Sequence, residues 1–374
     1  MEYVLLSEVA SYSKLRTKEI ELNSYISTEN MLPNKMGVTL ASSIPAATSA
    51  SKYEVGDILL SNIRPYFCKI WQADKIGSCS GDVLVVRAND SIDSKFLYYV
   101  LSDPNFFNYD TITSKGTKMP RGNKRAIMKY LVPHVSMDVQ HRIASILSTY
   151  DTLIENNTKR IRLLEKMAEN LYKEWFVRFR FPGHENVEME NGLPKGWKVK
   201  KYEDELNVKY GKGLPTDKLT KDGFPVFGSN GQIGYYTSYM YDTPQILISC
   251  RGASSGVVNI SLPKSFITNN SLICEMTNKT ESVFEYLKYY FLNTNLVQYQ
   301  TGSAQPQITI NNIVKLKLLI PSTDIQIKFA DKVRTLDKEV GNLQLQNSLL
   351  ARQRDLLLPR LMSGKLEVKE ELLE

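Results

Sequence analysis

Histidine and cysteine are scarce here, at three and four in 374 residues. Cys68, Cys79, Cys250 and Cys274 show no Cys-x-x-Cys spacing. That argues against a zinc site and against a disulfide framework, and buried thiols in a reducing compartment are expected instead. His134, His141 and His184 cluster around the ends of one helical stretch, with no serine or cysteine signature beside them. No run approaches the ~18 apolar residues a membrane helix needs. The N-terminus carries Glu2 and Glu8 and has no secretory apolar stretch. A soluble, cytoplasmic protein with no membrane partner is expected.

Catalytic constellations are missing too. The glycine-rich runs at 228–232 and 252–256 lack the Gly…Gly-Lys-Ser/Thr arrangement of a nucleotide loop, and Gly211-Lys212-Gly213 is too short for one. Asp103-Pro104-Asn105-Phe106 lacks the second proline of the amino-methyltransferase tetrapeptide, and a helix-capping turn is expected there. No nuclease-type arrangement of acids and lysine stands out. The chain is expected to bind rather than to catalyse.

What is present is a repeat. Asp57 to Ser61 returns as Gln245 to Ser249, Arg64 as Arg251, and Tyr99 as Tyr289. The Gly116–Pro120 turn returns as Gly302–Pro306, Leu131-Val132-Pro133 as Leu319-Ile320-Pro321, and Asp151 as Asp337. A period this long, used twice, describes two globular units in pseudo-twofold relation rather than a solenoid. Length alone suggests two or three domains. A net charge of +7 permits a polyanionic partner without demanding one.

Each copy ends in a heptad-patterned helix. A 4-3 step from Ile143 visits Leu147, Tyr150, Ile154, Asn157, Ile161, Leu164, Ala168, Leu171 and Trp175. In the second copy it runs Phe329, Val333, Leu336, Val340, Leu343, Asn347, Leu350, Arg354, Leu357 and Leu361. A 3.5-residue period held this long is a coiled-coil seam. Pro359 and Gly364 are read as the second helix's end. Antiparallel pairing with full overlap sets Ile143 against Leu361, Trp175 against Phe329 and Asn157 against Asn347. A parallel pairing would leave each amide facing an aliphatic side chain, at a cost of about 1–3 kcal/mol. A shared asparagine layer fixing the register is expected. The rod would be roughly 50 Å long at 1.5 Å per residue, with one globular unit at each end. That exceeds the ~34–36 Å turn of B-DNA.

The globular copies read as α+β units with small sheets. Strands are expected near residues 3–6, 57–61, 82–86, 197–199, 245–249 and 272–276, and helices near 96–101 and 285–292. From Thr111 to Met137 there is no acidic residue, while Lys115, Lys118, Arg121, Lys124, Arg125 and Lys129 supply six positive charges. That pattern suits a phosphate backbone. The second copy places Gln305, Gln307, Thr309, Asn311 and Asn312 in the corresponding stretch, and such amides can read adenine edges. Arg64 and Arg251, each after a strand, are candidate readers of guanine or phosphate, with pairing to an internal carboxylate as the alternative. Ser229, Asn230, Ser254 and Ser255 lie in glycine-rich loops able to approach a backbone or base closely.

On these residues the chain resembles the specificity subunit of Type I restriction–modification systems. The carriers are Leu131-Val132-Pro133 with Gln140, Ile143 and Asp151, and Leu319-Ile320-Pro321 with Gln326 and Asp337. Gly192 to Trp197 and the closing run Leu356 to Lys365 also fit. The resemblance implies an α+β fold of two similar target recognition domains with small β-rich sheets, separated by two long antiparallel coiled-coil helices in an internal pseudo-twofold repeat. It divides the chain into a first recognition domain (1–136), a central helix (137–180), a linker (181–195), a second recognition domain (196–322), a C-terminal helix (323–362) and a tail (363–374). The tail is expected near the N-terminus.

The implied function is recognition of a split, asymmetric site in double-stranded DNA, one half per domain, with the helices setting the spacer. The implied partners are two methyltransferase subunits and restriction–translocase subunits. S-adenosylmethionine, ATP and Mg are expected on those partners, and no cofactor on this chain. Other readings are a specificity component of a system without the ATP-driven nuclease, a coiled-coil scaffold that binds proteins, and a self-sufficient methyltransferase.

Overall fold

The structure is a computed structural model, and it describes residues 2–302 and 305–368. Ser303 and Ala304 of the recurring turn, and 369–374 of the tail, lie outside the described residues. The chain divides into two compact units. The first is Met1–Thr158 with Leu345–Glu374, and the second is Lys159–Gln344. Each unit takes half of each long helix.

In the first unit, Ile58–Ser61 is a run of four buried residues, and it forms an inner strand of a four-stranded antiparallel sheet. Its neighbours are Val83–Ala88 and Ile70–Gln72, with Ala10–Tyr12 at the edge beyond Val83–Ala88. The second unit repeats that order with Leu206–Tyr210, Ser271–Met276, Ile246–Ser249 and Val258–Ile260. A continuous aliphatic run suits a strand covered on both faces. A second small sheet lies in each unit, four-stranded in the first and three-stranded in the second. Helices Ser94–Ser102 and Phe284–Leu292 form where they are expected. Asp103 caps the Pro104–Thr113 helix by accepting from Asn105 N at 2.7 Å.

The backbone pairing corrects the repeat in two places. Strand Glu2–Leu5 pairs with Leu131–His134, and Lys198–Lys201 pairs with Lys317–Ile320. Leu131-Val132-Pro133 is therefore matched by Lys317-Leu318-Leu319, two residues before the similar letters Leu319-Ile320-Pro321. Pro321 falls instead at the place of Val135. Gln140 Nε2 donates to Val135 O and Gln326 Nε2 to Pro321 O, at 2.9 and 2.8 Å. The second correction is Arg251. Ile63 bridges to Arg121, and Arg251 bridges to Gln307. Arg251 thus takes the place of Ile63, and Arg64 is matched by Gly252. Both have left-handed backbones, with φ of 50° and 75°.

The long helices are Met137–Tyr172, closed by a π-helical turn at Lys173–Val177, and Thr323–Met362. Pro359 lies inside the last turn rather than ending the helix. All ten seam positions of each helix are buried or half-buried. Within the first unit, Ile143 and Leu147 share a core with Leu358 and Leu361. Asn157 Nδ2 donates to Asn347 Oδ1 at 3.0 Å, and Asp151 pairs with Arg354. Within the second, the Trp175 and Phe329 rings lie 5.9 Å apart and Arg160 meets Glu339 at 3.0 Å. In both units the partner number falls as the other rises, so the segments run antiparallel.

Each unit fastens its globular part to its helix in the same way. Gln140 and Gln326 are buried, and their Oε1 atoms each accept a backbone N–H at 2.8 Å, from Asp93 and Val283. Tyr99 donates its hydroxyl to Asp151 at 2.6 Å, and Tyr289 to Asp337 at 2.8 Å. Burial and the adjacent carboxylate together hold both phenols well above their ordinary pKa. The end of the second helix packs near the N-terminal strand. Val368 joins the first core, and Tyr3, Leu131, Pro359 and Met362 line one small cavity.

Candidate nucleic-acid interface

In the first unit, one edge gathers most of the basic residues named from the sequence. Lys115 and Arg121 exchange backbone hydrogen bonds at 2.9 Å, and Arg64 N donates to Pro120 O at 2.8 Å. Arg121 therefore sits at the centre of a short ladder, bridged to Ile63 on one side and to Lys115 on the other. Lys118 projects from the turn between the rungs, a turn that needs Gly116 at φ 93°. The Asn123 side chain caps the next short helix, which carries Lys124 and Arg125. Lys115, Lys118, Arg121, Lys124, Arg125 and Lys129 are all exposed. Arg121 also meets Asp82 at 3.2 Å. Such a pair at the surface is weak and exchanges readily for a phosphate.

Arg64 is half-buried with its Nε shut away from solvent and without an acceptor. No carboxylate pairs with it among the described residues, so the internal salt bridge held as an alternative is absent. An L-residue in the left-handed region costs about 1–2 kcal/mol, and such strain clusters at functional positions. The following turn, Pro65–Phe67, exposes Tyr66 and Phe67 beside it, with ring centroids 4.8 Å apart. Sequence reasoning missed this aromatic pair, although Arg-Pro-Tyr-Phe in a β-rich unit was the available signal.

The second unit builds the same ladder from neutral side chains. Gln307 bridges to Arg251 and to Thr301, and Gln305, Gln307, Asn311 and Arg251 are exposed. Thr309 and Asn312 are spent on capping, with Thr309 N donating to Asn312 Oδ1 at 2.8 Å. Asn230 and Ser254 hydrogen-bond to each other, which joins the two glycine-rich loops. Ser229 lies beside them with its hydroxyl on Asn270 O at 3.2 Å. Ser255 is buried, its carbonyl receiving Gln300 Nε2 at 2.5 Å. Its side chain is therefore off the surface, the one named candidate the fold withdraws. Among the described residues no group of histidine, cysteine and acids could hold a metal ion. No described helix is long and apolar enough to cross a membrane.

The protein is built from two copies of one α+β lobe, each presenting a ladder edge of differing polarity and each mounted on half of an antiparallel helix pair. Comparison with known proteins specifies the class. The sequence profile of the Type I restriction modification DNA specificity domain matches residues 6–166 and again 194–351. The chain belongs to that family and is a DNA sequence-specificity subunit of the Type I restriction–modification kind.

Among its relatives is the Type I restriction enzyme MjaIX specificity subunit of Methanocaldococcus jannaschii. It is 29% identical over 75% of this chain and 71% of its own length. The HindI specificity subunit of Haemophilus influenzae is 22% identical over 94% and 96% of the two chains. The crystal structure of the Type I restriction–modification S subunit from M. genitalium aligns over 98% of this chain and 96% of that one. Its TM-score is 0.56 at 18% identity, a likeness of fold.

Proposed function

We propose that the two lobes, taken as residues 1–136 and 196–322, each read one half of a split, asymmetric site in double-stranded DNA. In this reading the helix pair, 137–180 with 323–362, sets the gap between the half-sites. One observation carries it. The same ladder edge occurs in both lobes, lined by Arg64, Lys115, Lys118 and Arg121 in one and by Arg251, Gln305 and Gln307 in the other. Phosphate contacts position a protein on DNA, and base-edge contacts specify the sequence. A basic edge supplies the first term. Exposed glutamines and Arg251 supply bidentate donors and acceptors for the second. Different side chains on one scaffold imply different half-sites.

Lys124, Arg125 and Asn311, on the short helices beside the ladders, and Ser229, Asn230 and Ser254, on the joined loops, extend the two footprints. Asn157 and Asn347 hold the register of the helix pair. The chain contributes no catalytic group in this reading. Two methyltransferase subunits carry S-adenosylmethionine, and restriction–translocase subunits carry ATP and Mg, within the cytoplasm.

The test is to map methylated adenines in cells that express this chain with its methyltransferase partner. A two-part motif with a fixed gap is expected, and replacing residues 196–322 should change one half alone. A continuous motif, or a change in both halves, would overturn the reading.

A further inference from the structure

Strand Ile58–Ser61 and its counterpart Ile246–Ser249 leave by the same loop. Ser61 N donates to Lys69 O at 3.0 Å and Ser249 N to Val257 O at 2.9 Å. Phe67 N donates to Arg64 O and Ser255 N to Gly252 O, both at 3.0 Å. Those bonds match Arg64-Pro65-Tyr66-Phe67-Cys68 with Gly252-Ala253-Ser254-Ser255-Gly256, residue for residue. The backbone is left-handed at both ends of each loop, with φ of 50° and 51° in the first unit and 75° and 86° in the second. The second unit meets that demand with two glycines. The first meets it with arginine and cysteine, against the preference of L-residues.

The loops carry different side chains. In the second unit Ser254 is bonded to Asn230 and Ser255 is buried. In the first, Pro65 is buried, while Tyr66 and Phe67 stand 49% and 39% exposed with their rings packed on each other. The turn that holds them is braced. Asn34 N donates to Phe67 O at 2.8 Å and Lys35 N to Cys68 O at 2.9 Å, and Lys35 Nζ meets Asp355 of the C-terminal helix at 3.1 Å.

Strain of this kind gathers where a ligand is met, and the surroundings name the ligand. Arg64 opens the turn, with its N–H on Pro120 O beside the exposed Lys118 and Arg121. The Lys69 ammonium lies 5.9 Å from the centre of the Phe67 ring. An apolar spot among cations suits a polyanion that also carries apolar groups. On duplex DNA that group is the C5-methyl of thymine, displayed in the major groove. Each ring is at least half covered. Together they make a low patch that can lie against a methyl group, unlike a free ring driven between base pairs. We propose that Tyr66 and Phe67 form the contact for a thymine methyl in the first half-site, a contact the second lobe lacks. The inference rests on the split-site reading and adds a base preference to one half of it.

The full chain is titrated with duplexes that carry its mapped split site. Each thymine of the first half, the half left unchanged when residues 196–322 are replaced, is exchanged in turn for deoxyuridine, which lacks only the methyl. An adenine that accepts a methyl group in that half guarantees one such thymine on the facing strand. Removing one buried methyl corresponds to about fourfold in affinity, and that loss is expected at one or two positions. The variant Y66S/F67S, which copies the second lobe, should bind the thymine and uracil duplexes equally there and keep its salt slope. If it does not fold, Tyr66→Ser alone, at the more exposed ring, decides in its place and should at least halve the preference. Indifference of the unaltered chain to every methyl of the first half would overturn the contact. So would a preference that survives the serine variants. A loss of affinity in Y66S/F67S with the methyl preference intact would show the rings acting as a wedge or on a partner protein, and also overturns it. A chain that does not favour its split site over unrelated DNA sinks the split-site reading itself, and the contact with it.

Discussion

Asp151 in the first unit and Asp337 in the second stand at the same turn of their long helices, and each receives a tyrosine hydroxyl. Their charges are met from different places. Arg354 comes to Asp151 from the other long helix, whereas Lys288 reaches Asp337 at 2.7 Å from the lobe's own helix. Burial works against the Arg354 charge, and Asp151 and Asp355 more than offset it, so the guanidinium is held above its ordinary value.

The same contrast recurs nearby. Arg334 grips Glu285 through two bonds, at 2.6 and 3.1 Å, in the second unit. The matching residues of the first, Ser148 and Lys95, border an open groove of about 540 Å³. Groups that satisfy the backbone are shared by the two units, namely Gln140 with Gln326. Groups that satisfy charge are not. A backbone N–H and C=O stay where the fold puts them, so one side chain fits both copies. A charge can be balanced from several directions, so the copies diverge.

The largest break in this comparison is at the edges. Replacing Lys118, Arg121 and Lys124 with alanine should weaken binding to all DNA sequences by about two orders of magnitude at low salt, and should flatten the slope of log K against log salt by about 2.7. Replacing Gln305 and Gln307 should leave that slope in place and relax one half-site by about 1–3 kcal/mol. Equilibrium titrations on matched and mismatched duplexes at several salt concentrations measure both. Equal slopes for the two variants would erase the proposed division of labour.

Next in size is Arg354→Ala, which leaves Asp151 half-buried without its counter-charge. A loss of about 2–4 kcal/mol is expected, discounted from fully buried pairs because Asp151 is partly wet. Lys288→Ala should cost less, since Lys288 serves one carboxylate where Arg354 serves two, Asp151 and Asp355, and denaturant melts of the two variants rank them.

Gln140→Leu and Gln326→Leu should cost about 1–3 kcal/mol each, by stranding one backbone donor and one acceptor. Here the two units are expected to agree, and a difference above about 1 kcal/mol would mean that the fastenings are not equivalent.

The smallest effect is at the seam. Asn157→Leu should cost about 1 kcal/mol by leaving the Asn347 amide with weaker partners. The double change with Asn347→Leu should recover that stability while loosening the register, as cysteine pairs placed along the seam would report by cross-linking.

Much of this architecture was legible in the letters. The period of the apolar residues gave the helices, and the cost of a lone amide gave the direction of their pairing. Continuous aliphatic runs gave the inner strands. The details of the repeat were not legible. Leu-Val-Pro and Leu-Ile-Pro look alike and stand two residues out of step, because the ladder is fixed by backbone bonds that no particular side chain records. Arg64 and Arg251 share a letter and not a place for the same reason. Ser255 lies in a loop and is nonetheless buried, its carbonyl bonded by Gln300, which lies 45 positions away in the chain.

Arg64 occupies a backbone written for glycine, and its counterpart is one. Arginine and glycine codons differ by a single base, so the relaxed form is one mutational step away and would gain about 1–2 kcal/mol in the act. Drift alone would carry this position downhill to glycine. An arginine there is held against the thermodynamic slope, and if it reads DNA as proposed, the first lobe's choice of target stands one point mutation from a broader taste in DNA, with no loss of folding to warn the cell.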